Sequence, residues 1–245
     1  MNSLIIFSDE GWSQGRVTLL GARARAARES CSCEIGSELR IALFGGDKGV
    51  GRVLESSDEM IVIEILSVKP SLSLRSIDLI VGLSRPQTTK KVIQAAVMSG
   101  VRSLHLVHLD SGEKSYLDAH LLQQEQLRQE ITKALEQTWE GLYPKVVIHR
   151  HFGSFIRNYE RLFPSAVGEL RVIAHPGAAP LGSESVNVSS SAVVAVGSEG
   201  GWSQRELAAL SNLGFQHVGL GERIVRVEVA LLYLLGQMLG MRESA

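Results

Sequence analysis

The 245-residue chain contains only two cysteines, Cys31 and Cys33, and one residue separates them. A disulfide across such a short loop is strained, and a zinc site needs further thiol or histidine ligands at matching spacing, which the sequence does not offer. We therefore expect two reduced, partly buried thiols and no metal. This use of cysteine is typical of a reducing compartment.

Long apolar runs are also missing. The longest run, VALLYLLG near the C-terminus, is much shorter than the roughly 20 residues that cross a membrane. No basic segment precedes the four apolar residues of MNSLIIF, so the pattern does not indicate a secretory signal. We expect a cytoplasmic protein that contacts no membrane.

The sequence has no large excess of charge, since its formal net charge is −1, and bulk electrostatics therefore do not indicate a nucleic-acid partner. Locally, four arginines have no acidic residue between them: Arg16, Arg23, Arg25 and Arg28. Such a cluster can neutralise the phosphates of a nucleic acid. A solvated, arginine-rich loop or short helix explains the same pattern, and charge alone leaves both interpretations open.

Two common nucleotide-binding motifs are absent. No Gly-Lys-Ser/Thr occurs, which excludes a P-loop, and the spacing of Gly197, Gly200 and Gly201 differs from the G-x-G-x-x-G of dinucleotide-binding folds. A nucleotide-dependent dehydrogenase is therefore a remote alternative.

The hydrophobic pattern predicts two domains. Residues 1–70 contain five short apolar and β-branched segments between Gly, Asp and Ser, which indicates a small β-barrel. KPSLSLRS, at 69–76, is the expected linker. From residue 73 to 245, strands alternate with helices, which predicts a mostly parallel sheet covered on both faces.

Three glycine-containing loops of the second domain follow predicted strands: HPGAAP at 175–180, GSEGG at 197–201 and LGERIVR at 220–226. Ligands of open α/β sheets bind where loops leave the carboxyl ends of strands. Ser203 and Glu206 have the spacing of a capping box, so a helix should begin directly after the second loop. Glu199 in that loop disfavours a phosphate and favours a cationic or neutral ligand such as S-adenosylmethionine. A tight strand-to-helix connection is the alternative.

The C-terminal helix, predicted over IVRVEVALLYLLGQML, is apolar on nearly every side. Such a helix is buried all round, which indicates packing against both the core and a second subunit. Arg223, Arg226 and Glu228 precede or begin this helix. They either pair, Arg226 with Glu228 or with Glu199, or have a functional role.

Together these loops resemble the RsmE family of ribosomal RNA methyltransferases, in the SPOUT superfamily. The resemblance rests on IAHP at 173–176, VGSEGGWSQRE at 196–206 and LGERIVRVEVA at 220–230. It extends over the rest of the chain through RARAARESCSCEIGSELRI at 23–41 and LSRPQTTKKVIQAAVMSGV at 83–101. EKSY and ALEQTWEGLYPKV also follow the family.

The resemblance implies an N-terminal PUA-like β-barrel that binds RNA and a C-terminal SPOUT α/β domain with a trefoil knot. It further implies a homodimer that uses S-adenosylmethionine to methylate N3 of a uridine in the decoding region of 16S ribosomal RNA, in the 30S subunit. The alternatives are a methyltransferase of the same fold with another RNA target, and a noncatalytic RNA-binding or ribosome-assembly factor.

The resemblance also assigns roles to residues. Arg226, with Arg223 as the alternative, would stabilise negative charge on the base, and Glu199 or Glu228 would accept the proton or face the sulfonium. The expected cofactor contacts are His175, Pro176, Gly177, Val196, Gly197, Ser198, Glu199, Gly200, Gly201, Leu220, Gly221, Arg223, Ile224 and Val225. The expected RNA contacts are Arg16, Arg23, Arg25, Arg28 and Arg85.

Four residues depart from the family pattern. Ser198 stands where proline is usual, Val227 and Val229 replace hydroxyl-bearing residues, and Ala26 replaces a histidine. These departures leave cofactor binding expected, and they put catalytic rate and target identity in question.

Overall fold

The computed structural model describes residues 2–164, 169–181 and 191–242. The chain forms two compact units, Met1–Leu74 with Arg128–Tyr143, and Arg75–Leu127 with Pro144–Ala245. The division into domains at 1–70 and 73–245 stays a prediction.

The first unit contains a six-stranded sheet. Its strands are β1 Leu4–Ile6, β2 Gly11–Ser13, β3 Arg16–Leu20, β4 Glu38–Leu43, β5 Lys48–Ser56 and β6 Met60–Lys69. Their order is β1-β4-β5-β6-β3-β2, and every pair is antiparallel except β1 with β4. The sheet curls into a half-barrel, which agrees with the expected PUA-like barrel.

Helix α1, Ala22–Ser30, covers the core of this sheet. It buries Ala24 and Ala27 against the apolar side chains of the strands, and the thiols of Cys31 and Cys33 join the same cluster. Neither cysteine forms a disulfide. Burial raises the pKa of both thiols, that of Cys33 to about 11, so thiolate formation at neutral pH is disfavoured.

The second unit contains a six-stranded sheet in which every pair is parallel. Its strands are β7 Arg75–Gly82, β8 Val101–Val107, β9 Lys145–His149, β10 Leu170–Ala174, β11 Ala192–Val196 and β12 Gln216–Val218. Their order is β12-β10-β11-β7-β8-β9. The predicted α/β class is thereby confirmed, whereas the trefoil knot stays a prediction.

The other helices follow the strands. They are α2 Pro86–Met98, α3 Gln124–Thr138, α4 Phe152–Arg157, α5 Tyr159–Leu162, α6 Gln204–Asn212 and α7 Val227–Arg242. Aromatic and aliphatic residues of α4, α5 and α6 bury Ile80, Val193 and Ala195 of the sheet. Helices α2 and α7 pack on each other and contact β8 and β11 respectively. Within the described ranges, no helix has the length and apolarity needed to span a membrane.

Candidate functional site

The three glycine-containing loops leave neighbouring strands at one edge of the parallel sheet. The first loop begins where the His175 N–H donates to the Val218 carbonyl, 2.9 Å from N to O, and the Gly219 N–H returns a bond of 2.8 Å to the Ala179 carbonyl. A Cβ on Gly219 would lie 1.9 Å from the Ala178 carbonyl oxygen. Only glycine fits there, so the first and third loops are joined through their backbones.

The second loop is a tight turn. Gly201 has φ +69° and donates its N–H to the Ser198 carbonyl at 2.9 Å. The turn packs against the end of β7, because a Cβ on Gly82 would lie 2.4 Å from the Ser198 nitrogen. It also contacts Ser111 in the segment after β8, whose Oγ would be 2.8 Å from a Cβ on Gly200.

Ser198 occupies the position where the family has proline. Its side chain is buried, and its Oγ lies 3.5 Å from the Ser111 Oγ. The Ser111 hydroxyl also reaches the Gly201 carbonyl at 3.4 Å. These long contacts tie the turn to the next loop, so the hydroxyl at 198 partly replaces the conformational restriction that proline would supply.

Helix α6 begins directly after this turn, as the capping box predicts. The Ser203 N–H donates to Glu206 Oε2 at 2.8 Å, and the Glu206 N–H donates to Ser203 Oγ at 3.2 Å. Glu206 is fully buried, and its other oxygen accepts the Asp110 N–H at 2.8 Å. Arg205 holds the Asp110 carboxylate and lowers its pKa. These bonds fix the start of α6 to the segment after β8.

Both candidate carboxylates are held by helix α2. Glu199 accepts the backbone N–H of Arg85, the residue before the helix, at 3.1 Å, and the guanidinium lies 4.0 Å away. Glu228 accepts a bond of 3.0 Å from the Lys91 ammonium. Burial raises the pKa of Glu228, but its own backbone N–H and Lys91 outweigh that effect and leave the pKa below its ordinary value. Glu228 is therefore an anion at neutral pH.

Arg226 and Arg223 are exposed and, within the described residues, form no ion pair. Arg85 and Lys91 hold the carboxylates of Glu199 and Glu228, whereas Arg226 forms no ion pair with either and only contributes, through its nearby charge, to the lowered pKa of Glu228. Two guanidiniums are thus left available beside the third loop.

The remaining predicted cofactor residues divide by exposure. Val196, Gly197 and Ser198 are buried where β11 ends, whereas Pro176, Gly177 and the segment 221–226 are exposed. Ile224 is 88% exposed. Of the two valine departures, Val227 is buried in α7 and Val229 is 44% exposed, so only the second could face another molecule.

The predicted RNA-binding arginines of the first unit mostly have carboxylate partners. Arg23 pairs with Glu10 at 2.6 Å, Arg25 pairs with Glu59 at 2.6 Å, and Arg28 pairs with Asp58. Only Arg16 among the four has no ion pair to a described residue. The pairing favours the interpretation of this segment as a charged surface helix, which α1 is, over a cluster of available cations.

Two residues of the site were not singled out from the sequence. Ser111 and Lys91 contact the second loop and Glu228 respectively. Lys91 lies within the segment at 83–101 that resembles the family, and this resemblance is the sequence feature that points to it. Among the described residues, no three His, Cys, Asp or Glu side chains converge as metal ligands do.

Comparisons with known proteins agree with this arrangement. The family model described as RNA methyltransferase domain matches residues 70–239. Ribosomal RNA small subunit methyltransferase E of Treponema pallidum is 24% identical over 86% of this chain and 82% of its own length. The protein of the same name from Synechocystis is 31% identical over 46% of this chain and 37% of its own.

Solved structures show the same fold. Ribosomal RNA small subunit methyltransferase E from Neisseria gonorrhoeae, bound to S-adenosyl methionine, has a TM-score of 0.77 at 23% identity and covers 98% of both chains. A predicted RNA methyltransferase from Thermotoga maritima has a TM-score of 0.67 at 18% identity and covers 99% of this chain and 100% of its own. Since the family model spans more than half of the sequence, the chain belongs to the RNA methyltransferase domain family.

Proposed function

We propose that the protein uses S-adenosylmethionine to methylate N3 of a uridine in the decoding region of 16S ribosomal RNA. The observation that carries the proposal is that three glycine-containing loops follow the adjacent parallel strands β12, β10 and β11 in a chain of the RNA methyltransferase domain family. The names of the relatives from Treponema and Synechocystis support the small-subunit target. A protein that acts on ribosomes works in the cytoplasm.

The loops fit this cofactor. Their backbone N–H and C=O groups offer hydrogen bonds, and Ile224 and Val225 add exposed apolar surface for an adenine ring. No P-loop glycines or lysine stand there to hold a phosphate, and Glu199, with a side chain one third exposed, suits a positive charge. The neighbour from Neisseria is itself described with S-adenosyl methionine bound. The backbone of 175–177, 196–201 and 220–225 would hold the cofactor.

When bound, the cofactor would supply an electrophilic methyl group on its sulfonium. A neutral uridine N3 is a poor nucleophile, because it carries a proton and its lone pair is delocalised. Arg226, which is exposed and forms no ion pair with a described residue, would stabilise the negative charge that spreads over O2 and O4 of the base, and Arg223 is the alternative.

The proton on N3 must also leave. Glu199 is the better acceptor of the two carboxylates, because its side chain is more exposed than that of Glu228, whose pKa is lowered. Glu228 would then have a positioning role. Its bond with Lys91 would fix the start of α7, and thereby the position of Arg226, which directly precedes that helix.

A homodimer is part of the proposal. Helix α7 exposes Val229, Leu232 and Tyr233, and the last two follow Val229 by three and four residues, so the three side chains lie on one side of the helix. Soluble monomers seldom leave such a continuous apolar stripe uncovered. A second copy of the chain would cover it.

The proposal is tested by methyl transfer from labelled S-adenosylmethionine to three purified substrates: unmodified small-subunit RNA, large-subunit RNA and transfer RNA. We expect label in the small-subunit RNA only. Label in another RNA would favour a different target for the same chemistry. Cofactor binding without transfer to any RNA would favour a noncatalytic role.

A further inference from the structure

A basic pocket lies at the sheet edge beyond the candidate cofactor loops. It has a volume of about 230 Å³ and is formed by the end of β9 with α4 and α5. Its polar lining consists of His149, Arg150, His151, Ser154, Asn158 and Arg161, and among the described residues no carboxylate lines it. We call these six residues the basic pocket. Its volume is below that of pockets for drug-sized ligands and suits a compact group.

The cations of the basic pocket are available. Arg161 forms no ion pair with a described residue, and the Arg150 guanidinium lies 3.8 Å from Asp118 in a contact whose two side chains are 64% and 79% exposed. Such an exposed, long ion pair contributes little. Two guanidiniums beside a serine hydroxyl offer the donors that a phosphate accepts. On the first unit, by contrast, Arg23, Arg25 and Arg28 are paired with carboxylates.

A second cavity, of about 270 Å³, adjoins the basic pocket through His151. Its polar lining includes His108 and Asp110, which follow β8, and Arg205 at the start of α6, whose guanidinium is paired with the Asp110 carboxylate. The Nε2 atom of His108 is buried there without a hydrogen-bond partner among the described residues. An orphaned polar atom indicates that a polar ligand or water completes this cavity.

Both cavities lie on the route away from the candidate cofactor site. Strands β11, β7, β8 and β9 are neighbours in that order and parallel, so their carboxyl ends form one continuous edge. The second glycine loop follows β11, the second cavity follows β8, and the basic pocket follows β9. A chain that leaves the glycine loops along this edge therefore passes the second cavity, where Arg205 is paired with Asp110, and then reaches Arg161, which has no ion pair with a described residue.

We propose that the basic pocket binds a backbone phosphate of the RNA strand whose target base is placed beside the cofactor at the candidate cofactor site. This inference rests on the proposed function and adds to it a contact several strands away from the reacting atoms. Phosphate contacts fix register and orientation without reading sequence. The basic pocket therefore helps to place the target strand and does not select the base.

The test is the affinity of the full-length protein for unmodified small-subunit RNA, measured over a series of salt concentrations. The variant is Arg161→Gln. The matched control is Lys145→Gln, which removes an exposed positive charge at the start of β9, whereas the basic pocket lies at the end of that strand. We expect Arg161→Gln to weaken binding roughly two- to fivefold at low salt and to reduce the slope of log K against log [salt] by about 0.7–0.9. S-adenosylmethionine affinity and thermal unfolding should stay at wild-type values, as should the control's slope.

An Arg161→Gln slope equal to that of Lys145→Gln would overturn the proposal. So would saturable binding of inorganic phosphate that Arg161→Gln abolishes while the RNA slope stays unchanged, since the pocket would then serve a small anion. If the wild-type protein transfers methyl to this RNA and Arg161→Gln binds it normally, phosphate binding by the basic pocket is contradicted and the proposed methyl transfer is supported. If Arg161→Gln reduces the slope as expected but the wild type transfers no methyl, the basic pocket is supported and the proposed methyl transfer to this RNA is contradicted.

Discussion

At the scale of single residues, the charges of the candidate site are divided between fixed and available groups. Glu199 and Glu228 are held by Arg85 and Lys91 of the α2 region, whereas Arg226 has no ion pair among the described residues. An unpaired guanidinium beside a ligand loop is free to meet charge that develops during a reaction, which is what stabilisation of a transition state requires.

Arg226→Ala should therefore greatly slow methyl transfer and leave cofactor binding largely unchanged. We expect single-turnover methyl transfer to fall by at least about a hundredfold, as for the loss of other stabilising donors, and cofactor affinity by calorimetry to stay within about tenfold, or 1.4 kcal/mol. Arg52→Ala, on the surface of the first unit, is the control. Equal losses of transfer and of cofactor affinity would mean that Arg226 is structural.

Gly219→Ala, in contrast, should weaken cofactor binding itself. Its Cβ would lie 1.9 Å from the backbone oxygen of Ala178, so the first and third loops must separate, and cofactor affinity should fall by at least about tenfold. Gly153→Ala is the control, because its Cβ would come no closer than 3.6 Å to a neighbouring atom. Unchanged calorimetric affinity in Gly219→Ala would refute the proposed cofactor loops.

At the level of secondary structure, the hydrophobic pattern predicts most strands and helices. One predicted helix is broken in the structure, where a side chain competes for a backbone hydrogen bond. The sequence SFIRNYERLF predicts one helix, yet α4 ends at Arg157 and α5 begins at Tyr159. Asn158 lies between them, and its side-chain amide donates to the Ser154 carbonyl at 2.8 Å. Asparagine often competes in this way for backbone groups, but the sequence does not show where it will succeed.

The exposed face of α7 leads to a prediction about association. Leu232 is 51% exposed within an apolar stripe, and Leu232→Glu should convert a dimer into a monomer at micromolar concentration, because a buried unpaired charge is costly. Ala208→Glu, on an exposed position of α6, should remain dimeric. The measurement is multi-angle light scattering, and a monomeric wild type would contradict the dimer.

At the scale of the whole molecule, contacts between residues distant in sequence decide what pattern alone leaves open. The parallel sheet predicts that the three glycine loops lie along one edge, and they follow the adjacent strands β12, β10 and β11. The acidic partners of Arg23, Arg25 and Arg28 are Glu10, Glu59 and Asp58, which lie 13 to 34 residues away. Local charge could not identify them, nor could it place Ser111 beside Ser198 or Lys91 beside Glu228, because each pair joins different elements.

Stability of the second unit should depend on pH through a buried histidine pair. His105 and His149 are stacked, with 2.9 Å between His105 Nδ1 and His149 Nε2. Burial, with a smaller contribution from His149, lowers the pKa of His105 to about 4. The unfolded chain, with its ordinary pKa of 6.5, takes up the proton first, so stability is fully present above pH 6.5 and declines as pH falls towards 4.

His105→Leu should reduce this pH dependence. We expect the wild type to lose on the order of 1–3 kcal/mol of unfolding free energy between pH 7 and pH 4.5, and the variant to lose less. The comparison uses urea unfolding at several pH values, with exposed His120→Leu as the control. The same slope in all three proteins would show that the pair does not set the acid stability.

Nucleoside analysis is the direct test of the proposed methylation of a uridine at N3 in 16S ribosomal RNA. Unmodified small subunits are incubated with the protein and labelled S-adenosylmethionine, the RNA is digested, and the labelled nucleoside is identified and mapped by mass spectrometry. We expect one labelled nucleoside, 3-methyluridine, from one position in the decoding region. Label on a ribose, on another base or at another position would contradict it.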